Sequence, residues 1–186
     1  MSDSAANHDP GLPEEVMWEG RFVVAKKRGR WEYVSRARDI RAAVILAVDA
    51  EDCVILVEQY RVPLGRVCIE LPAGLIGDHD DDLDEDASVA AARELEEETG
   101  YRAGRMENLG EFWSSPGMVS ESFTLFAAHD LAKIGPGGGT ESENITVHRV
   151  PLVGLIAFVA ERRARGDAID VKLLTVLGPM FLKQCF

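Results

Sequence analysis

The chain has 186 residues, 46% of them hydrophobic, and a formal net charge of −12. That length and composition fit one globular domain with room for a core, and no apolar run reaches the roughly 18 residues that a membrane span requires. The acid excess argues against nucleic-acid or anionic-membrane partners, whose surfaces reward patches of Lys and Arg. A cytoplasmic location is expected, because the opening MSDSAANHDPGLPEE carries neither the basic nor the apolar region of a secretory signal. Cys53, Cys68 and Cys185 are odd in number and far apart, so they read as buried, reduced thiols, with no zinc site and no disulfide framework.

Residues 1–16 read as a loosely attached tail. From Trp18 to Arg36 the sequence predicts two short strands joined at KKRGR, a hairpin too small to be stable alone. The β-branched runs AAVILAVD (42–49) and CVILVEQY (53–60) predict buried strands, and VCIEL (67–71) a third before the turn PAG. DHDDDLDED (78–86) reads as a solvated acidic loop. A helix is expected over 87–99, stopped by Gly100 as its C′ residue. Further strands are expected near 107–113, 120–127 and 144–150, with a glycine-rich loop, KIGPGGGTESEN, at 133–144 and helices at 151–164 and 170–183. Mixed strands with one early and two late helices predict an α/β or α+β sandwich, a mixed sheet packed between helices. The expected division is a tail with an N-terminal strand pair at 1–36 and the main domain at 37–186.

The chemistry concentrates in RELEEETGY (93–101). Glu94, Glu97 and Glu98 fall on one helix face at i, i+3 and i+4, where like charges destabilise by a few tenths of a kcal/mol per pair. Such a face suits Mg2+ or Mn2+, which prefer hard oxygen ligands; alone it is also read as a solvated Glu/Arg surface. The turn IELPAG upstream lets backbone carbonyls approach a cation, and Glu141 and Glu143 follow on the glycine-rich loop.

The segment GLIGDHDDDLDEDASVAAARELEEETGY resembles the Nudix box, G-x5-E-x7-R-E-U-x-E-E-x-G-U with U apolar. Glu85 and RELEEETGY match every fixed position of its second half. The first half departs: His79 stands where the box has glycine, and the loop from Gly74 to Glu85 is about five residues longer than the pattern. RWEYVSR, EQYRVP, ELPAG and Pro116, sixteen residues beyond Gly100, are similar to the ADP-ribose pyrophosphatase branch. Members of that branch are usually homodimers joined through their N-terminal strands.

The resemblance implies that Glu94, Glu97 and Glu98 bind metal together with the carbonyl of Ala73, and that Arg93 and Gly100 are structural in the motif. It implies that Glu141 and Glu143 serve the catalytic loop, one activating water and the other, Glu143 in the favoured assignment, binding metal or positioning water. Phe22 and Trp31 would sandwich adenine, Arg36 and Arg61 would meet the diphosphate and ribose, and Pro116, Gly117 and Met118 the terminal ribose. Ordinary packing of the two aromatics, and an ion pair of Arg61 with Glu58 or Glu70, stand as alternatives. The expected activity is hydrolysis of ADP-ribose to AMP and ribose 5-phosphate with two or three Mg2+ ions, Mn2+ substituting. Alternatives are another nucleotide sugar or dinucleotide, such as GDP-mannose or NADH, and a non-catalytic nucleotide- or metal-binding module.

Overall fold

The structure, a computed structural model, describes residues 11–37, 41–76, 86–140 and 143–185. The chain folds as two compact units, Met1–Ile40 with Trp113–Ser122, and Arg41–Phe112 with Phe123–Phe186.

In the first unit β1 (Glu14–Glu19), β2 (Val23–Arg28) and β3 (Trp31–Arg36) form an antiparallel meander in that order. Gly29, at φ 59°, turns β2 into β3. The sequence predicts two strands here and a loose tail through residue 16. The third strand forms because Glu14 pairs with Lys26 at 2.8 Å and Arg28 at 3.2 Å and accepts the Tyr33 hydroxyl, fixing β1 on its neighbours. The segment 113–122 joins through Val34, whose N–H donates to the Met118 carbonyl and whose carbonyl accepts from Ser120. Among the described residues, Val16, Met17 and Trp18 of β1 are each more than half exposed.

The second unit carries β4 (Arg41–Ala47), β5 (Cys53–Arg61), β6 (Arg66–Glu70), β7 (Ala73–Ile76), α1 (Ala87–Thr99), β8 (Tyr101–Arg102), β9 (Arg105–Trp113) and β10 (Ser122–His129). It continues through β11 (Ala132–Lys133), β12 (Thr146–Pro151), α2 (Leu155–Ala164), β13 (Ala168–Ile169) and α3 (Leu174–Cys185). One four-stranded sheet runs β7-β4-β10-β9, with β4 parallel to β10, and a second runs β12-β5-β6-β13, with β6 parallel to β13. Alternation along the strands sends side chains to opposite faces. Ala43, Ile45 and Ile55 pack with Ala90, Ala91 and Leu95 of α1, whereas Val44, Val54 and Leu56 pack with Leu155 and Val159 of α2 and Leu177 of α3. This α+β arrangement of mixed sheets between helices is the expected class.

β7 corrects the expectation of a simple turn after Leu71. Ala73–Ile76 continues as an edge strand antiparallel to β4, with Ala73 opposite Val44 and Gly74 opposite Ala43. That strand lies directly under α1.

Candidate active site

α1 starts where Asp86 caps it, its carboxylate accepting the Ser88 N–H at 2.8 Å. It stops at Gly100, at φ 68°, whose N–H bonds the Glu96 carbonyl. Ala91 and Leu95, both fully buried, start an apolar stripe spaced four residues apart, and three residues further the same stripe reaches Glu98. The three glutamates of the predicted face are therefore not equivalent. Glu98 lies on the core side at 4% exposure, the Glu94 side chain is 17% exposed, and Glu97, on the other flank, is 49% exposed.

Glu98 ends under β7, where its Oε2 accepts the Ala73 N–H at 3.0 Å. Burial pushes its carboxyl up to about 8, against the Ala73 hydrogen bond; the nearby negative charges of Glu94 and Glu143 raise it further, and Arg61 lowers it. Glu94 packs on the backbone of Gly74 so closely that a Cβ there would sit 2.1 Å from the Glu94 carboxyl carbon. Any larger residue at this position would displace the Glu94 carboxylate from the strand. Arg93 Nη1 lies 3.0 Å from Glu94 and 3.4 Å from Glu97, pairing with both. Among the described residues, no three His, Cys, Asp or Glu side chains are gathered as a ready-made metal cage. The structure thus brings Ala73, Glu94 and Glu98 together, with Glu97 at the margin.

The glycine-rich loop is tied to this helix. Gly138 N–H donates to the Glu98 carbonyl at 2.8 Å and Gly139 N–H to that of Glu97 at 3.0 Å, while Ile134 and Gly135 both donate to Gly100. Gly137, at φ 71°, lies against α1: a Cβ there would be 2.3 Å from the Thr99 carbonyl carbon. These glycines permit close approach. Beyond them the Glu143 carboxylate folds back to accept the Thr140 N–H at 2.7 Å and its hydroxyl at 2.9 Å. Glu141 and Glu85 lie outside the described residues, as does the acidic loop through residue 85.

Arg61, at the end of β5, makes a bidentate pair with Glu70, Nε to Oε1 at 2.6 Å and Nη2 to Oε2 at 2.9 Å. Glu58, the other partner the sequence leaves open, is engaged with His148 at 2.6 Å and Arg162 at 2.6 Å. Of the two carboxylates the sequence leaves open for Arg61, the structure selects Glu70, which stands in IELPAG two residues from Pro72. In the other unit Phe22 and Trp31 stand 58% and 53% exposed, with Arg21 and Arg30 over their rings at 5.1 and 5.8 Å. Arg36 pairs with Glu121. Pro116, Gly117 and Met118 form a turn closed by the Met118 N–H on the Ser115 carbonyl at 3.0 Å. Cys53 and Cys68 are buried and free, and burial pushes the Cys68 thiol up to about 12, so it is no nucleophile.

Comparison with known proteins agrees with this geometry. The NUDIX domain profile matches residues 38–167. A GDP-mannose pyrophosphatase of Cronobacter sakazakii is 38% identical over 92% of this chain and 94% of its own length. An ADP-ribose pyrophosphatase of Bacillus subtilis is 35% identical over 77% of this chain and 73% of its own, and a methanol dehydrogenase activator of Bacillus methanolicus 37% identical over 82% and 83%. The crystal structure of an ADP compounds hydrolase superposes with a TM-score of 0.63 over 94% of both chains at 24% identity, a likeness of fold. With a buried glutamate on the helix of the box and the domain profile across most of its length, the chain belongs to the Nudix hydrolase family.

Proposed function

We propose that the chain hydrolyses the diphosphate of a nucleoside diphosphate sugar, with ADP-ribose as the first substrate, yielding AMP and ribose 5-phosphate. Water adds to one phosphorus, the bridging P–O bond breaks, and the other phosphate leaves with the bridging oxygen. The observation that carries the reading is the convergence of Glu98 and Glu94 on the Ala73–Gly74 strand. A carboxylate buried to 4% exposure among other acids calls for a cation. Nudix hydrolases generally use divalent metals, and the donor set of carboxylates and backbone carbonyl fits Mg2+, with Mn2+ substituting, as two or three ions.

Glu94, Glu97, Glu98, the Ala73 carbonyl and Glu143 would hold the ions, which supply Lewis-acid neutralisation of diphosphate charge. Arg93 steadies Glu94 and Glu97, and Gly100 ends the helix so that Glu97 and Glu98 are held in its last turn. Glu141 takes the proton from the attacking water, with Glu143 positioning it. Arg61, aimed by Glu70, and Arg36 meet the diphosphate and ribose, and Pro116, Gly117 and Met118 the terminal ribose. Phe22 and Trp31, more than half exposed, stack on the base.

The same exposed sheet, with Val16, Met17 and Trp18 uncovered, supports assigning 1–36 as tail and dimerisation strands of a homodimer and 37–186 as the hydrolase domain. A second substrate reading, GDP-mannose, is favoured by the Cronobacter relative. A hydrolysis screen of ADP-ribose, GDP-mannose, NADH and diadenosine polyphosphates with Mg2+ and Mn2+ decides. ADP-ribose should give the highest kcat/KM; a preference for GDP-mannose replaces the substrate, and no turnover of any of them overturns the reading.

A further inference from the structure

The end of α1 is fastened by one short segment. Helix C-termini leave carbonyls without intrahelical partners, usually met by water or a cap. Here Gly139, Gly138 and Ile134 with Gly135 donate to the carbonyls of Glu97, Glu98 and Gly100. The Thr99 carbonyl between them is taken by Lys133, whose Nζ donates to it at 2.7 Å and to the Pro136 carbonyl at 3.3 Å. The same ammonium stands 4.6 Å from the centroid of the Tyr101 ring. The Lys133 backbone pairs with Tyr101 across β11 and β8, anchoring the segment to the chain just after the helix. A cation at this end also suits the helix dipole. Two of the carbonyls so held belong to Glu97 and Glu98, and the segment runs on into Thr140 and Glu143.

We infer that Lys133 is a positioning residue for the metal-binding face: by tying the 134–139 segment across the last turn of α1, it fixes Glu97 and Glu98 in register with Glu143. This rests on the assignment of those glutamates to the metal site. Lys133 itself touches neither metal nor substrate. Its effect is carried by backbone placement, because the bonded carbonyls set where the last turn points its side chains, as outer-sphere groups do for metal ligands elsewhere.

The test is Mn2+ titration of the metal-free full chain, read by the electron paramagnetic resonance of free Mn2+, for wild type, Lys133→Met, Lys133→Arg and Glu98→Gln. Lys133→Met should weaken Mn2+ by about tenfold or more, with kcat lowered and the KM for ADP-ribose within about twofold, the split expected when binding of the base is untouched. Lys133→Arg, which keeps a donor cation over Tyr101, should restore most of the affinity. Gly137→Ala, which drives a Cβ into the Thr99 backbone, should reproduce the weakening by an independent route; if it fails to fold, the lysine series decides alone. If Glu98→Gln weakens Mn2+ but Lys133→Met does not, the positioning role is overturned while the site stands. If Glu98→Gln keeps wild-type affinity, the metal-site assignment fails and this inference with it.

Discussion

Replacing Glu98 by Gln should stabilise the metal-free protein while abolishing its activity. The folded-state carboxyl is raised to about 8 from a reference of 4.5. Between those values the folded chain holds a proton that the unfolded chain has lost, so stability falls as pH rises, by about 1.4 kcal/mol per pH unit. The contribution is unpenalised below the unfolded value and fully unfavourable above the folded one. At pH 7 this amounts to about 3 kcal/mol, which Gln, without charge, does not incur.

Gln keeps an oxygen for the Ala73 N–H, so the bond is retained in neutral form, and an allowance of about 1 kcal/mol covers the poorer fit of the amide NH2. The net expectation is a gain of about 2 kcal/mol at pH 7, or roughly 4–8 °C in Tm for a chain of this size, shrinking toward zero by pH 5. Differential scanning fluorimetry in EDTA at pH 5, 7 and 8 measures it. Saturating Mg2+ should reverse the order, because a ligand at about 100 times its Kd stabilises wild type by about 2.7 kcal/mol. kcat should fall at least about 10²-fold. A variant less stable than wild type in EDTA at pH 7, or a Tm difference that does not change with pH, would refute the buried, uncompensated carboxylate.

EDTA should abolish turnover and Mg2+ or Mn2+ restore it, since the donors are hard oxygens; full activity in metal-free buffer refutes the metal assignment. Deleting residues 1–36 should convert a dimer, seen by sedimentation at twice 20.4 kDa, into monomer or aggregate; a stable, fully active monomer refutes both the dimer and the base-stacking role of Phe22 and Trp31. Trp31→Ala should raise the KM for ADP-ribose more than it lowers kcat, because stacking remote from the broken bond is mostly uniform binding; an unchanged KM removes Trp31 from the base site. Glu141→Gln should lower kcat by roughly 10²–10⁴-fold with substrate binding kept, and Glu143→Gln should also raise the metal concentration required. Near-wild-type kcat in both assigns the base elsewhere.

What the sequence discloses follows from how local the cause is. α1 is legible because its cap at Asp86, its alanines and its stop at Gly100 are neighbours in sequence. β7 is not, since Ala73–Ile76 becomes a strand only through pairing with Arg41–Val44, and the proline and glycine of LPAG signal a turn. The periodicity of α1 places Glu94, Glu97 and Glu98 together, yet charge alone suggests solvent for all three. The sign that Glu98 is buried lies in its spacing from Ala91 and Leu95, which only the packed core makes decisive. Arg61 and Glu58 illustrate the same limit: three residues apart on β5, they engage different partners, Arg61 with Glu70 and Glu58 with His148 and Arg162. The glycine run misleads most. Glycines commonly mark freedom of the backbone, but in this fold they are a condition of contact, because positive φ at Gly137, Gly138 and Gly139 lets the backbone lie on the helix end.

The helix keeps its shape despite its acidic face because packing outweighs the repulsion. Repulsion between Glu94 and its neighbours amounts to a few tenths of a kcal/mol per pair, less than the roughly 1.5–3 kcal/mol from burying Leu95 one turn away. Helical backbone therefore survives; what yields is the protonation state of Glu98 and the orientation of Glu94 and Glu97, which turn to Arg93. The proton on Glu98 gives way when a divalent ion arrives, so metal binding at neutral pH should release close to one proton per site. Calorimetry in buffers of different ionisation enthalpy measures that number directly. A proton count of zero would mean that Glu98 is already ionised, and that the metal enters a site whose charge some other group has balanced.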